Sequence, residues 1–156
     1  MWLADSASSH QCWANRWEGD WPTADQLRSA LHAVAAAQPT LRTLFTSDAA
    51  GGHQQCLRDM PLEDVPLLVL PPGRLDGLWD AAGTSFKLGE QVAWRFVVSQ
   101  PHVALVGHCI ALDDWSVGLF WRQLDAALHQ QALVPPPVTC LDFGAGDVQQ
   151  DLDWWS

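Results

Sequence analysis

The chain has 156 residues, 48% of them hydrophobic, which suffices for one domain with its own core. Eighteen acidic residues against eight basic ones give a formal charge of −10, which repels nucleic acid and anionic membrane surfaces, so neither is expected as a partner. No apolar run approaches the ~20 residues of a membrane helix and no secretion signal opens the chain, so the expectation is a cytoplasmic protein whose widely spaced Cys12, Cys56, Cys109 and Cys140 are free thiols.

Residues 10 to 18 fit a short strand that stops at Gly19-Asp20. Thr23 and Gln26 have the spacing of a capping box, and Leu27, Leu31 and Val34 recur at helical spacing until Pro39. Residues 41–47 and 53–58 flank Asp48-Ala-Ala-Gly-Gly52, the composition of a hairpin turn. Leu67 to Leu70 reads as a short strand that Pro71-Pro72-Gly73 terminates, and Leu75, Leu78, Trp79 and Ala82 suggest a second helix broken near Gly83. The apolar runs 92–99 and 103–110 look like paired strands, and Val117, Phe120, Trp121, Leu124 and Leu128 mark a third helix, with Asp114 or Ser116 to cap it and Pro135-Pro-Pro137 to end it. The tail to Ser156 carries only a weak strand or short helix. This order predicts an α+β fold with helices laid on a mixed β-sheet. Several of the ten tryptophans stand beside charges (Trp17 by Glu18, Trp94 by Arg95, Trp154 and Trp155 after Asp153), where a ring with one N–H suits a half-buried or interface position.

Function is to be sought first between Val103 and Gln123, where a strand delivers His108, Cys109, Asp113 and Asp114 to a turn that opens a helix. A metal site from His102, His108, Cys109, Asp113 and Asp114 is disfavoured, because ligands must converge while successive strand residues point to opposite faces. Ser116 lacks the elbow signature of a catalytic serine. No metal is expected.

Three ordered segments carry a resemblance. Gln38-Pro-Thr-Leu-Arg-Thr-Leu-Phe45 resembles RHExLRTxF, Ser85 to Arg95 resembles PFDLxxGPLLR, and His108-Cys-Ile-Ala-Leu-Asp-Asp114, followed by Trp115-Ser116, resembles HHxxxDG. Together they are similar to the N-terminal lobe of a condensation domain of nonribosomal peptide synthetases, in the chloramphenicol acetyltransferase-like superfamily. The similarity covers roughly residues 10 to 132, and Leu152-Asp-Trp-Trp155 resembles the LxYW that follows this lobe. It implies one condensation-type lobe over 1–156, with 1–9 and 133–156 as weakly assigned flanks. It also implies that the SPxQ-like helix before the first strand is missing or reduced to Met1 to Ser9, and that the C-terminal lobe, which closes the family's substrate tunnel, is absent, whether by natural truncation or because the chain is an excised piece.

In the family the second histidine of HHxxxDG serves the chemistry. Here that position is Cys109, and His108 occupies the first, whose side chain on an alternating strand points to the other face. Cys109 is either a thiol standing in as base or acyl acceptor, or a small residue left where a histidine was lost. A thiol, with its ordinary pKa of ~8.5, is a poor base near neutrality without a cation beside it. His108 is expected to be a core histidine bonded to backbone. The resemblance assigns Asp113 a structural role paired with a buried arginine, here Arg42, and it replaces the motif glycine by Asp114. The expected function is that of an inactive condensation-like domain which binds an acyl or peptidyl carrier protein, neighbouring synthetase domains or a second copy of itself through an exposed apolar patch. It would need no cofactor of its own, a carrier bringing phosphopantetheine. The alternative is an active carrier-dependent acyltransferase completed by a second lobe in trans or by homodimerisation.

Overall fold

The computed structural model of the chain describes residues 10–47 and 53–139. Strand β1 (His10–Arg16) comes first and ends two residues before the expected point, although Trp17 still donates its N–H to the Pro101 carbonyl. Helix α1 (Ala24–Ala37) starts on a complete capping box: the Thr23 hydroxyl accepts the Gln26 N–H at 3.2 Å and the Gln26 side chain accepts the Thr23 N–H at 2.8 Å. Its buried stripe is Leu27, Ala30, Leu31, Val34 and Ala35. Pro39 has no N–H to continue the helix, so the chain tightens into a 3-10 turn (Pro39–Arg42). Strand β2 (Thr43–Ser47) then pairs antiparallel with β3 (His53–Leu57). The turn expected at 48–52, Cys140 and the tail residues Leu152 to Trp155 lie outside the described residues.

Beyond a second 3-10 turn (Leu62–Asp64) comes the short strand β4 (Leu67–Val69), and Gly73, at φ +77°, reverses the chain into helix α2 (Leu75–Gly83). Strands β5 (Trp94–Ser99) and β6 (His102–His108) form an antiparallel hairpin, and helix α3 (Asp114–Leu128) closes the described fold. The main sheet has the order β1-β6-β5-β4, with β4 parallel to β5 and the other pairs antiparallel. The fold is therefore α+β on a mixed sheet, as the order of elements predicted.

Both faces of that sheet are covered. Trp94, Phe96, Val98, Val103 and Leu105 pack with the stripes of α1 and α3. Val97, Ala104 and Val106 pack with Leu78, Ala81 and Ala82 of α2 and with Phe86 and Leu88. A strand buried on both sides has no polar alternation, which is why residues 103–108 read as a continuous apolar run. Burial of each large side chain here contributes about 1.5–3 kcal/mol before entropy is counted.

Three local expectations are corrected. Trp94 is not half-buried: it is 1% exposed, and its indole N–H satisfies the Leu41 carbonyl at 2.7 Å inside the core. The N-cap of α3 is Asp113, one residue before Asp114, because its carboxylate reaches forward to Ser116. The helix also ends well before Pro135. Gln130 takes φ +55°, and the Gln131 and Gln130 N–H groups close back on the Ala126 and Ala127 carbonyls, a Schellman stop built without glycine.

Candidate functional site

Strand β6 delivers its side chains alternately to the two layers, Val103 and Leu105 towards α1 and α3, Ala104 and Val106 towards α2. His108, in phase with Ala104 and Val106, enters the second layer and is 0% exposed. Its ring meets Phe86 edge-on at 6.4 Å, and across the strand pair it stands opposite His10, which meets the same Phe86 at 6.2 Å. Arg95, bonded to the Ala81 and Ser85 carbonyls, lies 4.0 Å from the centre of the Phe86 ring, over its face.

The protonation state of His108 follows from its partners. The Ile110 N–H donates to Nδ1 at 3.1 Å, so Nδ1 carries the lone pair and the proton of the neutral ring sits on Nε2. Nε2 is buried with no partner among the described residues. Burial first, and then the neighbouring His10, hold the His108 pKa below the ordinary histidine range. The Ile110 bond and the burial both favour the neutral form of this imidazole.

After His108 the chain folds sharply back. The Ala111 and Leu112 N–H groups both return to the His108 carbonyl, which sets Leu112 against Gly107. A Cβ at residue 107 would stand 2.6 Å from a Leu112 methyl and 3.3 Å from the Trp13 ring, so a larger residue there requires Leu112 and its neighbours to shift. Cys109 and Ile110 sit half-buried on this turn. Cys109 is a free thiol and no lysine, arginine or histidine is bonded to it among the described residues.

Asp113 accepts the Ser116 N–H at 2.8 Å and the Ser116 hydroxyl at 2.6 Å. Those two bonds hold its carboxyl below the usual aspartate range. Asp114 opens α3 and accepts the Trp13 indole N–H at 3.0 Å, which ties β1 to the helix start. Trp115 is 78% exposed, and Leu119, one turn on, is exposed beside it. Leu119 also lines a slot of about 100 Å³ that runs between Ala111, Leu112 and Ser116 on one side and Gln38, Thr40 and Leu41 on the other.

The expected pair of Arg42 with Asp113 does not form. The Arg42 guanidinium bonds instead to the Ala35 carbonyl at 3.0 Å and the Arg58 carbonyl at 3.2 Å, and so ties the end of α1 to the end of β3. Both residues are structural, each in a different place. The physical reason is that each group finds its hydrogen bonds elsewhere, Asp113 on Ser116 and Arg42 on the two carbonyls. No metal cluster of three or more His, Cys, Asp or Glu side chains occurs among the described residues. His102 and His108 stand at opposite ends of β6, roughly 20 Å apart at strand rise, and cannot share a ligand. No described helix is long and apolar enough to cross a membrane.

Sequence reasoning did not find His10, Trp13, Phe86 and Gly107 as parts of this site. For His10, Trp13 and Gly107 the only signal was period-two phase along β1 and β6, which becomes legible once the register pairing His10 with His108 is known, whereas Phe86 lay in the segment Ser85 to Arg95 with nothing to mark its contact with the two histidines.

No family model matches the chain. In sequence it is 29% identical over 173 residues, 97% of this chain, to the nonribosomal peptide synthetase agiA of Aspergillus flavus. It is 30% identical over 154 residues, 83% of this chain, to the nonribosomal peptide synthetase kk1B of Curvularia clavata. It spans only 2% and 1% of the length of those two synthetases. Among solved structures, the X-domain from teicoplanin biosynthesis superposes with a TM-score of 0.69 at 28% identity, over 97% of this chain and 36% of that one. The same X-domain in complex with OxyB gives 0.67 at 29% identity, over 96% and 35%. The first condensation domain of the calcium-dependent antibiotic synthetase shares the fold, with a TM-score of 0.67 at 21% identity over 99% of this chain and 42% of that one.

Proposed function

From the premise that this chain is a condensation-type lobe of chloramphenicol acetyltransferase-like fold, akin to nonribosomal peptide synthetases, we propose that it is an assembly-line module which has kept the scaffold of the acyl-transfer site, lost the chemistry, and works in the cytoplasm by binding other proteins. One observation carries the reading. The sole histidine of the motif is sealed in the core with Nδ1 engaged by Ile110, and the position on the turn is occupied by the unpartnered thiol of Cys109. A general base must reach the proton it removes, which the buried His108 does not, and a thiol with no cation beside it, as at Cys109, is a weak base. The motif aspartates cap and anchor α3 rather than orient a base.

The partners we assign are neighbouring synthetase domains, a carrier protein with its phosphopantetheine arm, or a second copy of this chain. The likeness to an X-domain solved in complex with a partner enzyme supports this class. So do the exposed Trp115 and Leu119, which stand one helical turn apart beside the motif turn and so offer adjoining apolar surface, the arrangement that interaction sites use.

The test is a condensation assay with carrier-bound donor and acceptor, run beside calorimetric titration of the same carriers and of neighbouring domains. The expected result is no product from the wild type or from Cys109→Ala, with saturable binding of at least one partner. Product formation that Cys109→Ala abolishes would show an active enzyme completed by another lobe, and would overturn the reading.

A further inference from the structure

A groove of about 810 Å³ is walled by the β1–α1 connection, one side of α1 and the last turn of α3. Trp17 and Trp21 form one wall. Their rings meet edge-to-face at 5.8 Å, and the Trp17 indole N–H is fixed on the Asp20 carbonyl at 3.0 Å. Glu18, Asp20, Asp25 and Asp125 stand around it, and no lysine or arginine lines it. Arg16 lines the adjoining hollow instead. Among the described residues Glu18, Asp20 and Asp25 have no ion pair, and Asp125 has only the exposed His129 at 3.4 Å.

The placement of these charges is not explained by the fold. Asp25 suits the first turn of α1, but Asp125 stands near the C-terminal end of α3, where the helix dipole disfavours an anion and the last turn carries no lysine or arginine. A chain of formal charge −10 that gathers carboxylates around an aromatic wall offers a surface complementary to a cation. Guanidinium groups fit both halves of it, since they stack on indole faces and bond carboxylates with two N–H groups at once. Carboxylates spread along the rim call for several cations in one occupant rather than a single small amine.

We infer that this groove docks a basic segment of a protein partner, an arginine-bearing amphipathic peptide whose apolar edge rests on Trp17 and Trp21. The inference builds on the reading of the lobe as an interaction module and names one surface and one partner chemistry for it.

The probe is a short dye-labelled peptide with arginines on one helical face and leucines on the other, followed by fluorescence anisotropy at low salt. A peptide with glutamate in place of arginine is the control. The wild type is expected to bind the arginine peptide and not the glutamate one. The triple variant Glu18→Gln/Asp25→Asn/Asp125→Asn should weaken binding about tenfold, the sum expected of three exposed charge contacts. The matched variant Asp59→Asn/Glu63→Gln/Asp80→Asn makes the same change in net charge at positions away from the groove, and should leave binding within about twofold. Equal weakening by both triples, equal binding of the glutamate peptide, or no binding of the arginine peptide would each overturn the assignment. A groove triple that loses the peptide but still titrates the carrier or neighbouring domain supports the groove as a separate surface. Failure of the peptide with carrier binding intact overturns the groove alone and leaves the interaction reading standing.

Discussion

His108 makes stability depend on pH in a way that isolates one side chain. Its pKa is held down in the folded protein by burial and by His10, so the folded state keeps the ring neutral where the unfolded chain protonates it. The sign follows: the stabilisation is complete above the unfolded histidine pKa of ~6.5 and is lost as pH falls below it. One proton bound only by the unfolded chain gives a slope of at most about 1.4 kcal/mol per pH unit, which lasts from the unfolded histidine pKa of ~6.5 down to the lower folded one. Against a typical domain stability of roughly 5–15 kcal/mol even one pH unit of that slope is readable as a shift of the urea midpoint. The comparison is with His108→Asn, whose amide oxygen can still accept the Ile110 N–H but does not titrate. Urea unfolding of both proteins from pH 8 to 5 should show the wild type losing stability relative to the variant only below about pH 6.5. Because the difference cancels the carboxylates and the other histidines, parallel curves for the two proteins would refute a sealed, neutral His108.

The Arg42 and Asp113 partners predict additive behaviour. Arg42→Ala should cost about 1–3 kcal/mol by orphaning the carbonyls of Ala35 and Arg58, Asp113→Ala about 1 kcal/mol by removing the cap, and the double-mutant coupling should stay under about 0.5 kcal/mol. A coupling of several kcal/mol would restore the ion pair that the geometry denies. The Asp113 carboxyl, held down by Ser116, contributes above the unfolded aspartate pKa and loses its contribution as pH falls through the folded value, so Asp113→Asn should flatten part of the acid limb of unfolding. Gly107→Ala should destabilise by about 1–3 kcal/mol in thermal unfolding, and Leu112→Ala in the same chain should recover some of it by vacating the clash. A Gly107→Ala protein with unchanged melting would mean that the turn has room to spare. Trp13→Phe, which removes the N–H donated to Asp114, should cost about 0.5–1.5 kcal/mol by chemical denaturation, and an unchanged midpoint would deny that link any weight.

The elements were legible wherever a local rule governs them. The capping box at Thr23 and Gln26, the proline stop at Pro39 and the apolar runs of β5 and β6 each depend on neighbours within a few residues, and the structure has them. What failed to read ahead was decided at a distance or by competition. Pro135 looked like the end of α3, but a left-handed Gln130 had already closed the helix, a conformation that non-glycine sequence does not announce. Trp94 looked amphipathic beside Arg95, yet its N–H met the Leu41 carbonyl, from a turn far away in the chain. The site divided the same way. The resemblance put Cys109 where the family motif has its second histidine, and the turn after β6 carries it, whereas the pairing of Arg42 inferred from the same likeness was displaced by two carbonyls that no pattern of residue types reveals.

The pairing of β1 with β6 has a consequence for the order in which the chain can fold. His10 meets His108 and Arg16 meets His102, so the first described strand waits for nearly the last one to complete the sheet. Closing a loop of roughly a hundred residues costs about 4 kcal/mol of chain entropy, which local contacts made earlier cannot offset on their own. During synthesis the ribosome releases β1 long before its partner, leaving Cys12 and Trp13 exposed for several seconds at ordinary translation rates of roughly 5–20 residues per second. The lobe should therefore fold late and all at once when β6 emerges, and a chaperone that shields an N-terminal strand would raise its yield more than one that acts on the finished chain.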